Sequence, residues 1–317
     1  MLTIGSLFSG IGGLELGLER VLGARTLYQV EREPFAQQVL AARWPRVQRF
    51  DDVRTLTEPP PVDILCGGFP CQDVSDAGTE SGLKGRRSGL WFEFHRIAAL
   101  SRPTFLAIEN VGALRRRGLD TVIQGLRQLG YESAWSLIRA SDVGAPHRRE
   151  RLFIVAWRPE RVARAPKHVA FVLQPGSRRG LWPTPTETDS SSSARMTCAR
   201  TCEWRSKPGT TLTDAARLAD AGLPLNAVAP HLSGAGALNA DWVDALMGFP
   251  IGWTDPSVER PVQAPGWPAL PGQAQHAWEP ARLTRGKVHR GRLRALGNAV
   301  VPQCAEIVGL ALGGMAR

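Results

Sequence analysis

The first half of this chain alternates short apolar runs with amphipathic helical stripes, and few folds accommodate that pattern. Leu2-Thr3-Ile4-Gly5-Ser6-Leu7-Phe8 is an apolar run, and Ser9-Gly10-Ile11-Gly12-Gly13 is a tight turn. Ile11, Leu14, Leu18, Val21 and Leu22 then recur at three- and four-residue spacing, the period of a helix with one buried face. Thr26 to Val30 predicts a second strand, and Pro34 opens a helix at its first position, where a missing N–H is tolerated. Val62–Cys66 and Phe105–Ile108 read as buried strands, with a helix near Leu90–Leu100 between them that stops before Pro103. Val122, Ile123, Leu126 and Leu129 form another stripe, ended by Gly130 as a C-cap, and Leu152–Trp157 is a last buried strand. Buried strands separated by helices of this length require a parallel sheet covered on both faces. The predicted fold class is therefore α/β, a doubly wound and mostly parallel sheet over residues 1–160.

The pattern changes after Arg158. Residues 161–284 are rich in Pro, Gly, Ser and Trp, with a polar run at Ser190-Ser191-Ser192-Ser193, and read as a smaller, loop-rich module. Residues 285–317 regain order as a basic stretch, a Gly-Asn turn and an apolar helix. Hydrophobic residues make up 43% and charged residues 21% of the 317, a globular balance that excludes disorder throughout. The first basic residue is Arg20, so no secretory leader is expected, and Pro302, Gln303 and Glu306 interrupt the most apolar segment, so no membrane span is expected. Five cysteines are too few and uneven for a disulfide framework and point to a reducing cytoplasm. The net charge of +10 is carried almost wholly by arginine, because Lys84, Lys167, Lys207 and Lys287 are the only lysines. Arginine forks suit phosphate and guanine edges, which makes a polyanionic partner plausible.

Ligands of open α/β sheets bind beyond the carboxyl ends of the strands, so those positions are the candidates. The first strand ends in the glycine turn, where the backbone can approach a ligand closely. The second ends in Glu31, 21 residues after Gly10, a spacing that suits a carboxylate accepting from ribose hydroxyls. Asp51-Asp52 follow the next apolar stretch and could meet an adenine amino group. Together they outline a site for an adenosine-containing cofactor. The next end is Gly67-Gly68-Phe69-Pro70-Cys71-Gln72, whose cysteine is a candidate nucleophile, whereas Cys66 lies within the apolar strand and reads as inert core. The strand after that ends in Glu109-Asn110-Val111, a carboxyl group that burial can keep protonated. His147-Arg148-Arg149-Glu150-Arg151 leads into the last strand, and alternation puts Arg149 and Arg151 on one face, where cations would favour a thiolate.

These blocks, in this order, resemble the DNA cytosine-5 methyltransferase family of bacterial or phage type. The matching runs are Phe8–Gly13, Gly68-Phe69-Pro70-Cys71-Gln72, Glu109-Asn110-Val111, Arg149-Glu150-Arg151 and Gly297-Asn298-Ala299-Val300-Val301-Pro302-Gln303, with Leu246-Met247-Gly248-Phe249-Pro250 before the last. The resemblance implies S-adenosyl-L-methionine as cofactor, held by Phe8, Ser9, Gly10, Ile11, Gly12, Glu31, Asp52, Pro70, Asn298 and Val300. It implies double-stranded DNA as substrate, with one cytosine flipped out and Cys71 attacking its carbon 6. Protonated Glu109 would hold ring N3, Arg151 the ring O2, and Arg149 the loop that carries Cys71. Residues 161–284 would be a target-recognition domain, and residues 285–317 would return to the catalytic domain. Gln72, Ser75 and Thr211 are the further candidates for DNA, and the run Arg282, Arg285, Lys287, Arg290, Arg292, Arg294 reads as a phosphate-contacting strip. His147 departs from the glutamine that often precedes the family's arginines. The resemblance also implies a cytoplasmic, nucleoid-associated enzyme, sufficient as a monomer, to which a separately encoded restriction endonuclease could correspond.

Other readings fit less. A nicotinamide dehydrogenase accounts for the glycine turn and Glu31 but not for Cys71, Glu109 and the arginines together. A tRNA cytosine-5 methyltransferase shares the motifs but carries a Cys-Phe-Thr signature absent here. Cys198 and Cys202 lack a second convincing pair, so no zinc site is expected. The recognised DNA sequence is not legible in residues 165–245.

Overall fold

The computed structural model describes residues 1–70, 89–162, 171, 180–191, 210–232, 235–286 and 289–316. Cys71, Gln72, Ser75, Cys198, Cys202 and Lys287 lie outside the described residues. In chain order the first region runs β1 (Thr3–Leu7), α1 (Gly13–Leu22), β2 (Arg25–Val30), α2 (Pro34–Arg43), β3 (Gln48–Phe50), β4 (Ile64–Gly67), α3 (Leu90–Ser101) and β5 (Phe105–Val111). It continues with α4 (Leu114–Arg117), α5 (Leu119–Gln128), β6 (Glu132–Arg139) and β7 (Glu150–Trp157). These strands form one sheet in the order β3-β2-β1-β4-β5-β7-β6. The pairs from β3 through β5 are parallel, while β7 runs antiparallel to both β5 and β6. The mostly parallel α/β sheet is the one expected, but two strand-level expectations need correction.

The first correction is β6, which the apolar pattern does not announce. It is an outer strand, and its sequence ESAWSLIR is half-buried along most of its length, so its solvent-facing positions dilute the apolar signal. The second is the direction of β7. Only residues 140–149 separate β6 from β7. That length is short of the dozen or more residues a parallel crossover needs, so the chain turns back antiparallel.

The sheet divides two apolar cores. On one side Leu7, Leu65, Leu106 and Ile154 pack with Trp91 and Phe94 of α3 and with Val122 and Leu126 of α5. On the other, Ile4, Ile64 and Val155 pack with Leu14 and Leu18 of α1 and with elements from the far end of the chain. Those elements are α6 (Leu212–Asp220), a β8–β9 ribbon (Ala237–Leu238 with Leu283–Thr284), α7 (Ala240–Leu246), α8 (Arg290–Asn298) and α9 (Pro302–Ala316). α9 lies along α1, and the approach is close enough that a Cβ at Gly17 would overlap the Pro302 carbonyl oxygen and the Ala305 Cβ. The stretch Arg290–Ala316 is long and apolar enough by composition to cross a membrane. It is nevertheless divided after Asn298, and half of its most apolar window is buried against the protein.

α7, α8 and the segment between them are joined by buried charge. Arg292 donates to Asp244 Oδ2 at 2.8 Å and to Thr254 Oγ1 at 2.8 Å, and it also pairs with Asp241. From the sheet side, Arg43 donates to the carbonyls of Gly252, Trp253, Asp255 and Val258. An arginine fork that satisfies four carbonyls fixes an irregular loop that has no ladder of its own.

Candidate active site

The ends of β1, β2, β4, β5 and the start of β7 meet at one edge of the sheet, the edge where open α/β folds bind ligands. At β1 the chain passes through Phe8, Gly10 and Gly12, all with positive φ (56°, 55° and 84°). The turn is tied to β2, since Ser9 N–H donates to Val30 O at 3.1 Å and Gly10 N–H donates to Glu31 Oε2 at 2.7 Å. Glu33 N–H donates to the other Glu31 oxygen at 2.7 Å. Burial lifts the Glu31 carboxyl above its ordinary value, while these N–H bonds pull it down. Ile11 and Gly12 complete the turn, and Trp253 Nε1 donates to Ile11 O at 2.9 Å from the distant 250s. Val300 packs on the same turn through Gly13, whereas the Asn298 side chain is exposed.

Asp52 caps a short turn at Val53–Thr55, accepting from Arg54 N–H at 3.0 Å and Arg54 Nε at 3.1 Å. The Arg54 backbone N–H, with the guanidinium beside it, holds Asp52 below its ordinary value. Gln37 joins this acidic corner to β2, donating to Asp51 Oδ1 at 3.0 Å and to Glu31 O at 2.7 Å. Nothing in the sequence pattern singled out Gln37. Its place one turn into α2, facing back over the strand end, is visible only in the fold.

The β4 end is held from β5. Asn110 Nδ2 donates to Phe69 O at 3.0 Å, and Phe69 packs on Trp91 with ring centroids 5.5 Å apart. Pro70 is exposed at the last described position before Cys71. Gly68 faces the Glu109 carboxyl, and a Cβ there would come within 2.6 Å of Glu109 Oε2. Glu109 Oε1 in turn lies 3.0 Å from Arg151 Nε, and its side chain is only 13% exposed. Burial pushes the Glu109 carboxyl above its ordinary value, against the pull of Arg151 and Arg149. Cys66 is fully buried in β4, and burial drives its thiol well above the ordinary range, so it stays a protonated core residue.

Arg149 is the residue expected to brace the Cys71 loop, which lies outside the described residues. It is buried at φ 21°, and its described hydrogen bonds go to Thr184 Oγ1 (3.1 Å, accepting from its N–H), Pro185 O (3.1 Å) and Gly297 O (3.0 Å). Burial, with Arg151 adding repulsion, pushes its guanidinium down to about 9. Arg149 thus joins the sheet edge to the segment entering the loop-rich module and to the end of α8. His147 is fully buried and pushed down to about 3 by desolvation, so it is neutral, and its Nε2–H donates to Leu246 O at 2.9 Å.

The DNA-facing expectations fare unevenly. Arg292 is consumed by Asp241, Asp244 and Thr254 in the interior, so the structure does not support it as part of a phosphate strip. The run held no acid of its own, and the three partners come from residues 241–254. Arg282 is likewise buried, pairing with Asp220 at 3.2 Å over the Trp182 ring. Arg294 is exposed and pairs with Glu187 at 2.8 Å. The Thr211 hydroxyl caps α6, accepting from Asp214 N–H at 3.1 Å and donating to Asp214 Oδ2 at 2.9 Å.

The strand order and the carboxylate beyond β2 define a doubly wound α/β protein whose ligand edge carries a second, acid–arginine cluster. The model of the C-5 cytosine-specific DNA methylase family matches residues 2–198, and the chain belongs to that family. It is similar to the Type II methyltransferase M2.BsuMI of Bacillus subtilis, 38% identical over 159 residues that make up 48% of this chain and 41% of that protein. It is also similar to the Type II methyltransferase M1.ScrFI of Lactococcus lactis subsp. cremoris, 36% identical over 48% of this chain and 40% of that protein. The chain therefore spans about two fifths of the length of these curated relatives. Among solved structures, the Entamoeba histolytica methyltransferase EhMeth shares the fold, with a TM-score of 0.60 at 14% identity, covering 98% of this chain and 96% of that one.

Proposed function

We propose that this chain transfers a methyl group from S-adenosyl-L-methionine to carbon 5 of a flipped cytosine in a specific sequence of double-stranded DNA, through a covalent Cys71 adduct at carbon 6. The observation that carries the reading is the Glu109–Arg151 pair, 3.0 Å apart and set against Gly68 in the loop that leads to Cys71. The cofactor reading is supported by the donor set at β1 and β2. Glu31 accepts one backbone N–H on each carboxylate oxygen and keeps lone pairs for a ribose diol, and Gly10 has open space where a Cβ would stand. When bound, the cofactor supplies an electrophilic methyl on a sulfonium.

Carbon 5 of cytosine is a poor nucleophile. In this reading the Cys71 thiolate forms a bond to carbon 6, and the ring electrons move to make carbon 5 an enamine carbon. Glu109 donates a hydrogen bond at ring N3, and its raised carboxyl keeps a proton available for that bond. Arg151 holds the ring O2 and the charge that develops there. Once carbon 5 carries its methyl, loss of the carbon 5 proton expels Cys71 and restores the aromatic ring. Flipping the base from the duplex costs a few kcal/mol, which phosphate contacts offset. Residues 161–284 serve as the target-recognition domain, one site per chain makes a monomer sufficient, and a restriction endonuclease encoded separately is the partner this class of enzyme suggests.

The test is a duplex carrying 5-fluorocytosine. Fluorine cannot leave as a cation, so the methylated adduct cannot collapse. With S-adenosyl-L-methionine present, the chain should form a complex with this duplex that survives denaturing electrophoresis, and Cys71→Ala should form none. A trapped complex that persists in Cys71→Ala would overturn the assignment of the nucleophile.

A further inference from the structure

Beside the sheet edge just described, α4, α5 and the outer strand β6 line an open groove of about 480 Å³. Its apolar floor includes Leu119 and Ile123, and its rim includes Arg115, Arg127 and Trp135. Trp135 is 41% exposed, the one tryptophan among the described residues that is more than a third exposed. The Arg115 guanidinium lies 5.8 Å from its ring centroid. Arg116 is exposed beside Arg115, and among the described residues no carboxylate pairs with Arg115, Arg116 or Arg127. Asp120 is the one acid on the lining.

We infer that this groove is a second docking surface for the substrate DNA, taking the phosphate backbone a few base pairs from the target cytosine. The inference rests on the proposed DNA-methylating reading. Charge selects the occupant, because unpaired guanidinium forks suit phosphate oxygens, and the indole N–H of Trp135 is a donor without a competing acceptor role. Position supports it too. Arg115 follows Glu109 by six residues, so the two Cα atoms lie at most about 20 Å apart. Each DNA strand carries one phosphate per about 3.4 Å of axis. A duplex presenting a base at Glu109 therefore has phosphates within about six base pairs that can reach the groove.

The experiment measures binding of the full chain to a mixed-sequence duplex over a range of salt concentrations. Arg115→Gln/Arg127→Gln, the two arginines on the rim, should lower the slope of log K against log salt by about 2, one unit per lost phosphate contact. Arg25→Gln/Arg46→Gln removes the same charge from exposed positions near the other end of the sheet, and its slope should match the parent. Trp135→Ala should weaken binding at every salt concentration with the slope unchanged. Equal slopes for the two double variants would overturn the inference. A Trp135→Ala loss larger on single strands than on duplex would also overturn it, in favour of a base-stacking platform. If the parent methylates no cytosine but the slopes differ as stated, the catalytic reading fails and the groove stands.

Discussion

Glu109 shows how much a single site depends on its neighbours. Its carboxyl sits where β5 ends, buried enough to hold a proton more tightly than in water, yet 3.0 Å from a cation. Gly68 makes room for it, because any Cβ there would come within 2.6 Å of its Oε2. Gly68→Ala should therefore displace the carboxyl and cost about a hundredfold or more in methyl transfer, the scale of a lost general acid. Duplex affinity should hold. Single-turnover rates and equilibrium binding on the same variant check this, and an unchanged rate would contradict the role of Glu109. At this scale the sequence was informative about residue type and weak about partners. Cys71, Glu109 and Arg151 stand out because they fall at strand ends, whereas Arg292 looked like a surface cation until Asp244 and Thr254 appeared against it in the fold.

At the scale of elements, α1 is joined to β1 and β2 by buried polar groups beneath the glycine turn. Glu15 is fully buried, with Gln29 Nε2 at 3.4 Å from Oε1 and Oε2 without a partner, while Ser9 donates to Ser6 at 2.9 Å nearby. Desolvation pushes Glu15 from 4.5 up to about 7. A carboxyl with a raised folded pKa stabilises the protein fully below its unfolded value, and that contribution is lost as pH rises through the folded value. Glu15 should thus cost on the order of 3 kcal/mol between acid and mildly alkaline solution. Glu15→Gln should flatten this part of the dependence, seen as a smaller fall in denaturant midpoint from about pH 5 to about pH 8. An identical fall in both proteins would show that Glu15 is ionised at no such cost. The periodicity of Leu14 and Leu18 announced α1 itself. It could not announce that Glu15, one position along, also faces inward, because a helical stripe is read from apolar residues and a buried acid counts against it.

Across the whole molecule, the far end of the chain completes the site at the near end. Val300 packs on Gly13, Trp253 donates to Ile11, and Arg149 reaches Gly297. The alternation of strand and helix was legible because buried apolar runs are short and their helices long. The antiparallel β7 was not, since strand direction follows from the length of a connection whose preceding strand, β6, carries too little apolar signal to be seen. The loop-rich module was legible only as a change of composition, because irregular segments fixed by arginine–carbonyl bonds have no period to read. The measurement that bears most directly on the proposed activity is bisulfite sequencing of a mixed-sequence plasmid incubated with the chain and S-adenosyl-L-methionine. Cytosines protected in one sequence context, and left unprotected by Cys71→Ala, are the result expected here. A plasmid with no protected cytosine would contradict it.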